Sequence, residues 1–213
     1  RDTQIDLQRR EDDLRELEGM LNAKEKRLNE VESALKDREA RVKELEDIIA
    51  EKDAAVRALK DRISQALLGF KDKGLTVEQR NGKIYVSLEA KLLFPSGSTV
   101  VNSEGKKALL DLSKVVKEEK EITILVEGHT DSDPINGGAA MKDNWDLSVL
   151  RATSVVRIMN QEGGVDNTML TAAGRGQFIP VADNSTADGK AKNRRIEIIL
   201  TPNLDRLFEI LNE

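Results

Sequence analysis

The stretch ITILVEGHTDSDPINGGAAMKDNWDLSVLRA, residues 122–152, contains the signals that decide the fold of the C-terminal part of the chain. Its opening, ITILVEGHT, is a short apolar run that ends in a polar turn, which predicts a buried strand. The loop DSDPINGGAAMKD follows, and an amphipathic pattern then predicts a helix from about Asn144 to Gln161. We therefore expect a strand and a helix that are joined by a long loop and packed together.

The predicted helix has two faces of different chemistry. One face carries apolar residues at helical spacing that we expect to pack on a sheet: Trp145, Val149, Ala152, Val156 and Met159. Another face carries Asn144, Leu147, Ser148 and Arg151, and a spacing of seven residues leaves the first and last of these only about 20° apart around the helix axis. Arg151 therefore points to the place where the loop that carries Asp131 could close over it.

These residues predict a shallow pocket for a zwitterionic amino acid. Asp131 would take an ammonium group, and Arg151 would take a carboxylate in a bidentate fork. The exposed N–H groups and the positive dipole end of the helix would add attraction for the carboxylate. The alternative is that Asp131 and Arg151 form only an internal ion pair that orders the loop.

Flanking segments predict the rest of the C-terminal fold. Asn81-Gly82 is a strong signal for a two-residue hairpin turn, and Asn102 or Ser103 can cap a helix with an apolar stripe. Downstream, the patterns of LTAAG and RRIEIIL predict strands, and residues 204–213 predict a short amphipathic helix. Helices that alternate with strands around a mixed sheet indicate an α+β fold, arranged as a compact α/β sandwich.

Residues 1–70 show a heptad pattern. Its a positions are apolar without exception: Leu7, Leu14, Leu21, Leu28, Leu35, Val42, Ile49, Val56, Ile63 and Phe70. Such a column over about nine heptads predicts a long N-terminal α-helical coiled coil that acts as a stalk. A parallel dimer is favoured, in which Arg27 could meet Glu32 of the partner, and a trimer comes next. The alternative is a solitary helix held by i,i+4 ion pairs.

The composition restricts the function classes. A net charge of −5 and a pI near 5.3 oppose binding to nucleic acid. With one histidine, no cysteine and no catalytic or nucleotide-binding motif, we expect neither an enzyme nor a cofactor. His129, Asp131 and Asp133 form an H-x-D-x-D string, but carboxylates at a strand end are weak evidence for a metal, and we expect no metal site.

Several motifs in register resemble one known family. VEGHTD, NWDLSVLRA, LTAAGRGQFIPVADN and KNRRIEI resemble the OmpA-like C-terminal domain, and the long loop before NWDLS resembles the MotB-like members. The resemblance implies an OmpA/MotB-like domain over residues 74–203, after the stalk of residues 1–70 and before a terminal helix at 204–213. It also implies non-covalent binding of peptidoglycan stem peptides of the diaminopimelate type. The implied ligand-binding residues are Thr130, Asp131, Asn144, Leu147, Arg151, Arg194 and Arg195, with the contacting arginine of the Asn193–Arg195 motif left open.

Three functions follow from this resemblance. The first is a wall-binding tether on the periplasmic side of the bacterial envelope, held to a membrane only through an anchor that is absent from this chain. The second is a MotB-like stator subunit of an ion-driven motor. The third is a coiled-coil scaffold whose globular part has lost ligand binding. An upstream transmembrane helix with an acidic residue would favour the motor, and a lipidated cysteine would favour the tether.

Overall fold

The computed structural model describes residues 2–135 and 141–212, so the middle of the long loop lies outside the described residues. The chain forms two compact units. One contains the chain up to Ala50 and the segment from Arg206 onward, and the other, which we call the head, is Glu51–Asp205. Within the described residues, no helix combines the length and the apolar character needed to cross a membrane.

Helix α1, Asp2–Ala66, confirms the long N-terminal helix. No proline interrupts this segment, so the helix runs without a break. The a-position side chains between Leu7 and Ile49 remain 50–62% exposed in the single chain: Leu7, Leu14, Leu21, Leu28, Leu35, Val42 and Ile49. The upstream part of the heptad column is therefore an uncovered apolar stripe.

The last turns of α1 belong to the head. Val56, Leu59 and Ile63 are at most 6% exposed and are part of the head's apolar core. Arg62 adds ion pairs to Glu118, at 3.2 Å, and to Glu119, at 2.5 Å. The sequence predicts a stalk that ends at residue 70, whereas the head of the structure begins at Glu51. The last apolar residues of the heptad column pack in the core of the head, although their spacing in the sequence is that of a coiled coil.

The head contains one five-stranded mixed sheet. Its strands are β1 Leu75–Arg80, β2 Lys83–Glu89, β3 Ile122–His129, β4 Leu170–Gly174 and β5 Arg195–Pro202, in the order β1-β2-β5-β3-β4. Only β3 and β4 are parallel neighbours, and the other pairs are antiparallel. Asn81 and Gly82 have positive φ of 50° and 70°, as a type I′ hairpin turn requires, so the predicted hairpin is confirmed.

Further helices alternate with these strands along the chain. They are α2 Ala90–Leu93, α3 Ser103–Val116, α4 Asn144–Gln161, α5 Ala187–Asn193 and α6 Asp205–Asn212, with short 3-10 helices at Leu68–Lys73 and Asn167–Met169. The Asn102 side chain caps α3 by accepting from Gly105 N at 2.7 Å. The α+β fold class with a mixed sheet and a long N-terminal helix is thereby confirmed. In α6, the side chains of Leu207 and Phe208, part of the predicted apolar stripe, lie outside the described residues.

The predicted apolar face of α4 is partly wrong. Ala152 and Met159 are buried as expected, but Trp145 is 46% exposed and Val149 is 41% exposed. Fully buried Ser148 faces the sheet instead. The reason is a close approach between α4 and the sheet that only small groups can fill, described below.

Candidate functional site

Two glycines bring α4 close to the ends of β3 and β4. A methyl group at Gly128 would lie 2.1 Å from Ser148 O, and one at Gly174 would lie 2.4 Å from Ser148 Oγ. Ser148 Oγ also accepts from Gly176 N at 3.1 Å. The start of α4 is therefore held beside the turn that follows β3, where the candidate residues lie.

The turn after β3 holds Thr130 and Asp131 in buried positions, 4% and 6% exposed. Thr130 N donates to Gly176 O at 2.9 Å, and Thr130 Oγ1 donates to Asp131 O at 2.9 Å. Asp131 Oδ1 accepts from Asp133 N at 3.1 Å. Thr130 thus shapes the turn, and Asp131 is the residue that turns a carboxylate toward neighbouring cations.

Asn144 connects this turn to two neighbouring segments. Its Nδ2 donates to Gln177 Oε1 at 2.8 Å and to the carbonyl oxygens of Asp133, at 3.0 Å, and Asp131, at 3.3 Å. Its Oδ1 is buried and has no hydrogen-bond partner among the described residues. Asn144 therefore organises the site with its amide nitrogen and leaves one acceptor available.

The N-terminus of α4 is less open than we expected. Asp143 caps it, and Asp143 Oδ1 accepts from Trp145 N at 2.8 Å and from Asp146 N at 3.0 Å. These are N–H groups that we expected to attract a ligand carboxylate. An anion at this site must therefore rely on side chains.

Arg151 is the central cation of the site and is only 6% exposed. Its Nε donates to Ser98 O at 3.0 Å, and its guanidinium carbon lies 5.0 Å from the centroid of the Phe94 ring. Burial, the largest cause, and the nearby Arg194 guanidinium lower the pKa of Arg151, while Asp131 raises it. Across residues 2–135 and 141–212, Arg151 makes no ion pair and its two Nη groups have no hydrogen-bond partner.

Arg194 forms the ion pair with Asp131. The alternative in which Asp131 and Arg151 form an internal ion pair is not seen among the described residues, because Asp131 pairs with Arg194 instead. The Arg194 side chain is 42% exposed, so this pair faces solvent on one side. Arg151, Arg194 and Asp131 together give an excess of one positive charge, which suits an anionic group.

Arg195, the first residue of β5, has a different partner from Arg194, which precedes the strand as the C-cap residue of α5. It is 3% exposed, and its Nε donates to Glu197 Oε1 at 2.7 Å. Burial, as the largest cause, and Arg195 lower the pKa of the neighbouring His129 to about 4. Of the two arginines left open by the sequence, Arg194 is the one beside Asp131.

The structure also shows where Leu147 and the H-x-D-x-D string lie. Leu147 is 5% exposed, and it shares the buried face of α4 with Asn144 and Arg151. The H-x-D-x-D string does not converge, because Asp131 pairs with Arg194, Asp133 pairs with Lys190 at 2.7 Å, and His129 lies with the buried groups of β5.

Sequence reasoning missed three residues that complete the site. Ser98 supplies the carbonyl for Arg151, Phe94 lies under its guanidinium, and Gln177 bonds Asn144. The FPSGS loop and the GRGQ turn that carry them are visible in the sequence as turns. Nothing in their composition indicates that they approach Arg151 and Asn144 from distant parts of the chain.

Comparisons with known proteins show which family the head resembles. The OmpA family profile matches residues 93–194. Motility protein B of Bacillus subtilis is 30% identical over 119 residues, which cover 56% of this chain and 45% of that protein. The probable lipoprotein YiaD of Escherichia coli is 36% identical over 129 residues, which cover 61% of this chain and 56% of that protein. The chain thus spans about half the length of these curated relatives.

Solved structures give the same result for the fold. The cell wall anchor of the T6SS from Pseudomonas aeruginosa is 33% identical, with a TM-score of 0.61, and the match covers 67% of this chain and 98% of that one. A MotB-like protein from Desulfovibrio vulgaris is 25% identical, with a TM-score of 0.66, and the match covers 72% of this chain and 95% of that one. Fold, motifs and relatives agree, and residues 93–194 therefore form a domain of the OmpA family with MotB-like relatives.

Proposed function

We propose that the head binds a peptidoglycan stem peptide without covalent chemistry and thereby tethers an envelope protein to the cell wall. The observation that carries this proposal is the buried Arg151 guanidinium, which makes no ion pair among the described residues and has its Nη groups free. A desolvated guanidinium of this kind binds a carboxylate strongly and in a defined orientation. The cell wall anchor among the similar structures supports attachment to the cell wall.

The two ends of a diaminopimelate-type side chain fit the charges at the site. Its carboxylate would bind the Nη groups of Arg151, with Arg194 adding attraction from the solvent side. Its ammonium would bind Asp131, whose carboxylate is oriented by Asp133 N and shared with Arg194. Asn144 Oδ1, a buried acceptor without a partner in the described chain, would take a further N–H of the ligand.

A sedimentation assay with purified peptidoglycan tests this site. We expect Arg151→Ala and Asp131→Asn each to weaken binding about 30-fold or more, because each removes one half of a desolvated charge pair. Arg157→Ala on the same helix is the matched control, since Arg157 is exposed. Circular dichroism checks folding, and equal binding by Arg151→Ala and Arg157→Ala would remove the assignment.

We also propose that the stalk forms a parallel two-stranded coiled coil. The exposed a-position side chains from Leu7 to Ile49 support this proposal. Packing against the same stripe of a second copy would remove this apolar surface from water. Sedimentation equilibrium should give a dimer. Leu28→Lys should shift it to monomer, because the charge would lie in the seam, whereas a monomeric wild-type chain would contradict the proposal.

A motor role is the second candidate, and the relatives named motility protein B favour it. The two candidates differ in the kind of anchor that each requires. A membrane-spanning helix with an acidic residue, if the full-length gene encodes one before the stalk, would support a stator, and a lipidated cysteine there would support a passive tether.

A further inference from the structure

A second cluster of ionisable groups lies on β3 and β5, away from the Arg151 site. In the register of the two strands, Glu127 is opposite Glu197 and His129 is opposite Arg195. Side chains two residues apart point to the same face of a sheet, so all four share one face. They are 9% exposed or less. A buried cluster with two carboxylates and an imidazole needs partners for each polar atom.

The imidazole of His129 lacks such partners. Neither ring nitrogen has a hydrogen-bond partner among the described residues, although the side chain is only 2% exposed. Its Nε2 lies 3.8 Å from Glu127 Oε2, too far for a hydrogen bond. This buried nitrogen and this carboxylate oxygen can each donate an electron pair to a third group that lies between them.

The two carboxylates are each held by one oxygen only. Glu127 Oε1 accepts both bonds from Arg175, at 2.9 and 2.6 Å, and Glu197 Oε1 accepts from Arg195. The second oxygen of each carboxylate takes part in no hydrogen bond among the described residues. Arg175 and Arg195 thus orient the carboxylates, as outer-shell groups do around protein-bound metals.

We propose that Glu127, His129 and Glu197 bind a divalent transition-metal ion, with zinc as the best fit. One ligand atom from each residue lies within 4.8 Å of the others. Ligands about 2.1 Å from a tetrahedral zinc are about 3.4 Å apart, so a short inward movement of the three side chains would suffice. An imidazole nitrogen with carboxylate oxygens suits zinc, whereas calcium and magnesium prefer oxygen ligands alone.

Charge and access are compatible with this site. The guanidinium groups of Arg175 and Arg195 balance the two carboxylates, so the ion enters a pocket without net charge and is held by direct coordination. The Arg175 side chain is 47% exposed, and its movement away from Glu127 would open the cluster to solvent. Bound metal would cross-link β3 to β5 and stabilise the head by mass action.

The single histidine of this chain makes the test specific. The full chain is stripped with a chelator, dialysed and titrated with ZnCl₂ by calorimetry, while the ¹⁵N shifts of the one imidazole are followed by NMR. We expect one equivalent of zinc to bind, the imidazole nitrogens to shift and the Tm to rise. No binding, or binding that leaves the imidazole unshifted, would overturn the proposal.

Variants separate this cluster from other carboxylates. His129→Gln should weaken zinc binding by at least about 100-fold, and Asp133→Asn, which removes an exposed carboxylate of the same string, should leave it unchanged. Retained affinity in His129→Gln would contradict the assignment. If His129→Gln does not fold, Glu197→Gln replaces it, and the imidazole shift of the wild-type chain decides independently of either variant. Peptidoglycan binding by Arg151 plays no part in these outcomes.

Discussion

The clearest prediction compares two isoleucines in the same heptad column of α1. Ile63 is 0% exposed and belongs to the core of the head, whereas Ile49 is 50% exposed in the single chain. Ile63→Ala removes three buried carbons, worth about 2.4 kcal/mol at about 0.8 kcal/mol each, and leaves a cavity. The total loss in the free energy of unfolding should be about 2–5 kcal/mol. Ile49→Ala should change the unfolding of the head by less than about 0.5 kcal/mol.

Urea denaturation measures this difference directly. Trp145 is the only tryptophan of the chain and lies in the head, so its fluorescence reports unfolding of the head. Measurements over a range of protein concentrations separate the two effects, because Ile63→Ala should lower stability at every concentration. Ile49→Ala should act only on association of the stalk, seen by circular dichroism as a concentration-dependent helix signal. Equal losses for both variants at all concentrations would refute the assignment of the last turns of α1 to the core.

Two further substitutions test the packing that positions the site. Gly128→Ala should prevent stable folding of the head, because the added methyl would lie 2.1 Å from Ser148 O. Gly19→Ala is the control, since a methyl group there would have nothing within 4 Å. A cooperative urea transition of Gly128→Ala near that of wild type would contradict the close approach. Asn102→Ala should cost about 1 kcal/mol of stability, because it removes the cap on Gly105 N, and a thermal melt with an unchanged Tm would argue against that cap.

Local signals in the sequence were sufficient for most of the fold. The Asn81-Gly82 pair, the Asn102 cap and the bounds of α4 each depend on residues that are neighbours in the chain, and each appears in the structure as predicted. The face of α4 depends instead on Gly128, which lies on another element. The spacing of apolar residues along α4 cannot show that a glycine on β3 brings Ser148 against the sheet. The same spacing therefore predicts, wrongly, that Trp145 packs on the sheet.

The sequence predicts that some residues of the candidate site lie together, but it predicts neither all of its members nor their pairing. Asp131, Asn144 and Arg151 lie together, as the spacing on α4 indicated. The partner of Asp131 is Arg194, which follows α5 much later in the chain, and sequence alone could not choose between Arg194 and Arg195. Their surroundings in the structure make that choice, because Arg194, at the end of α5, pairs with Asp131, whereas Arg195, the first residue of β5, pairs with Glu197.

The junction at the end of α1 has a mechanical consequence. Any tensile load carried by the backbone of this helix enters the head at Val56, Leu59 and Ile63, whose side chains are enclosed by the core. Shear is then spread over about two helical turns instead of falling on one peptide linker. In the proposed tether, pulling the stalk out of the head would have to disrupt the packing of these core side chains.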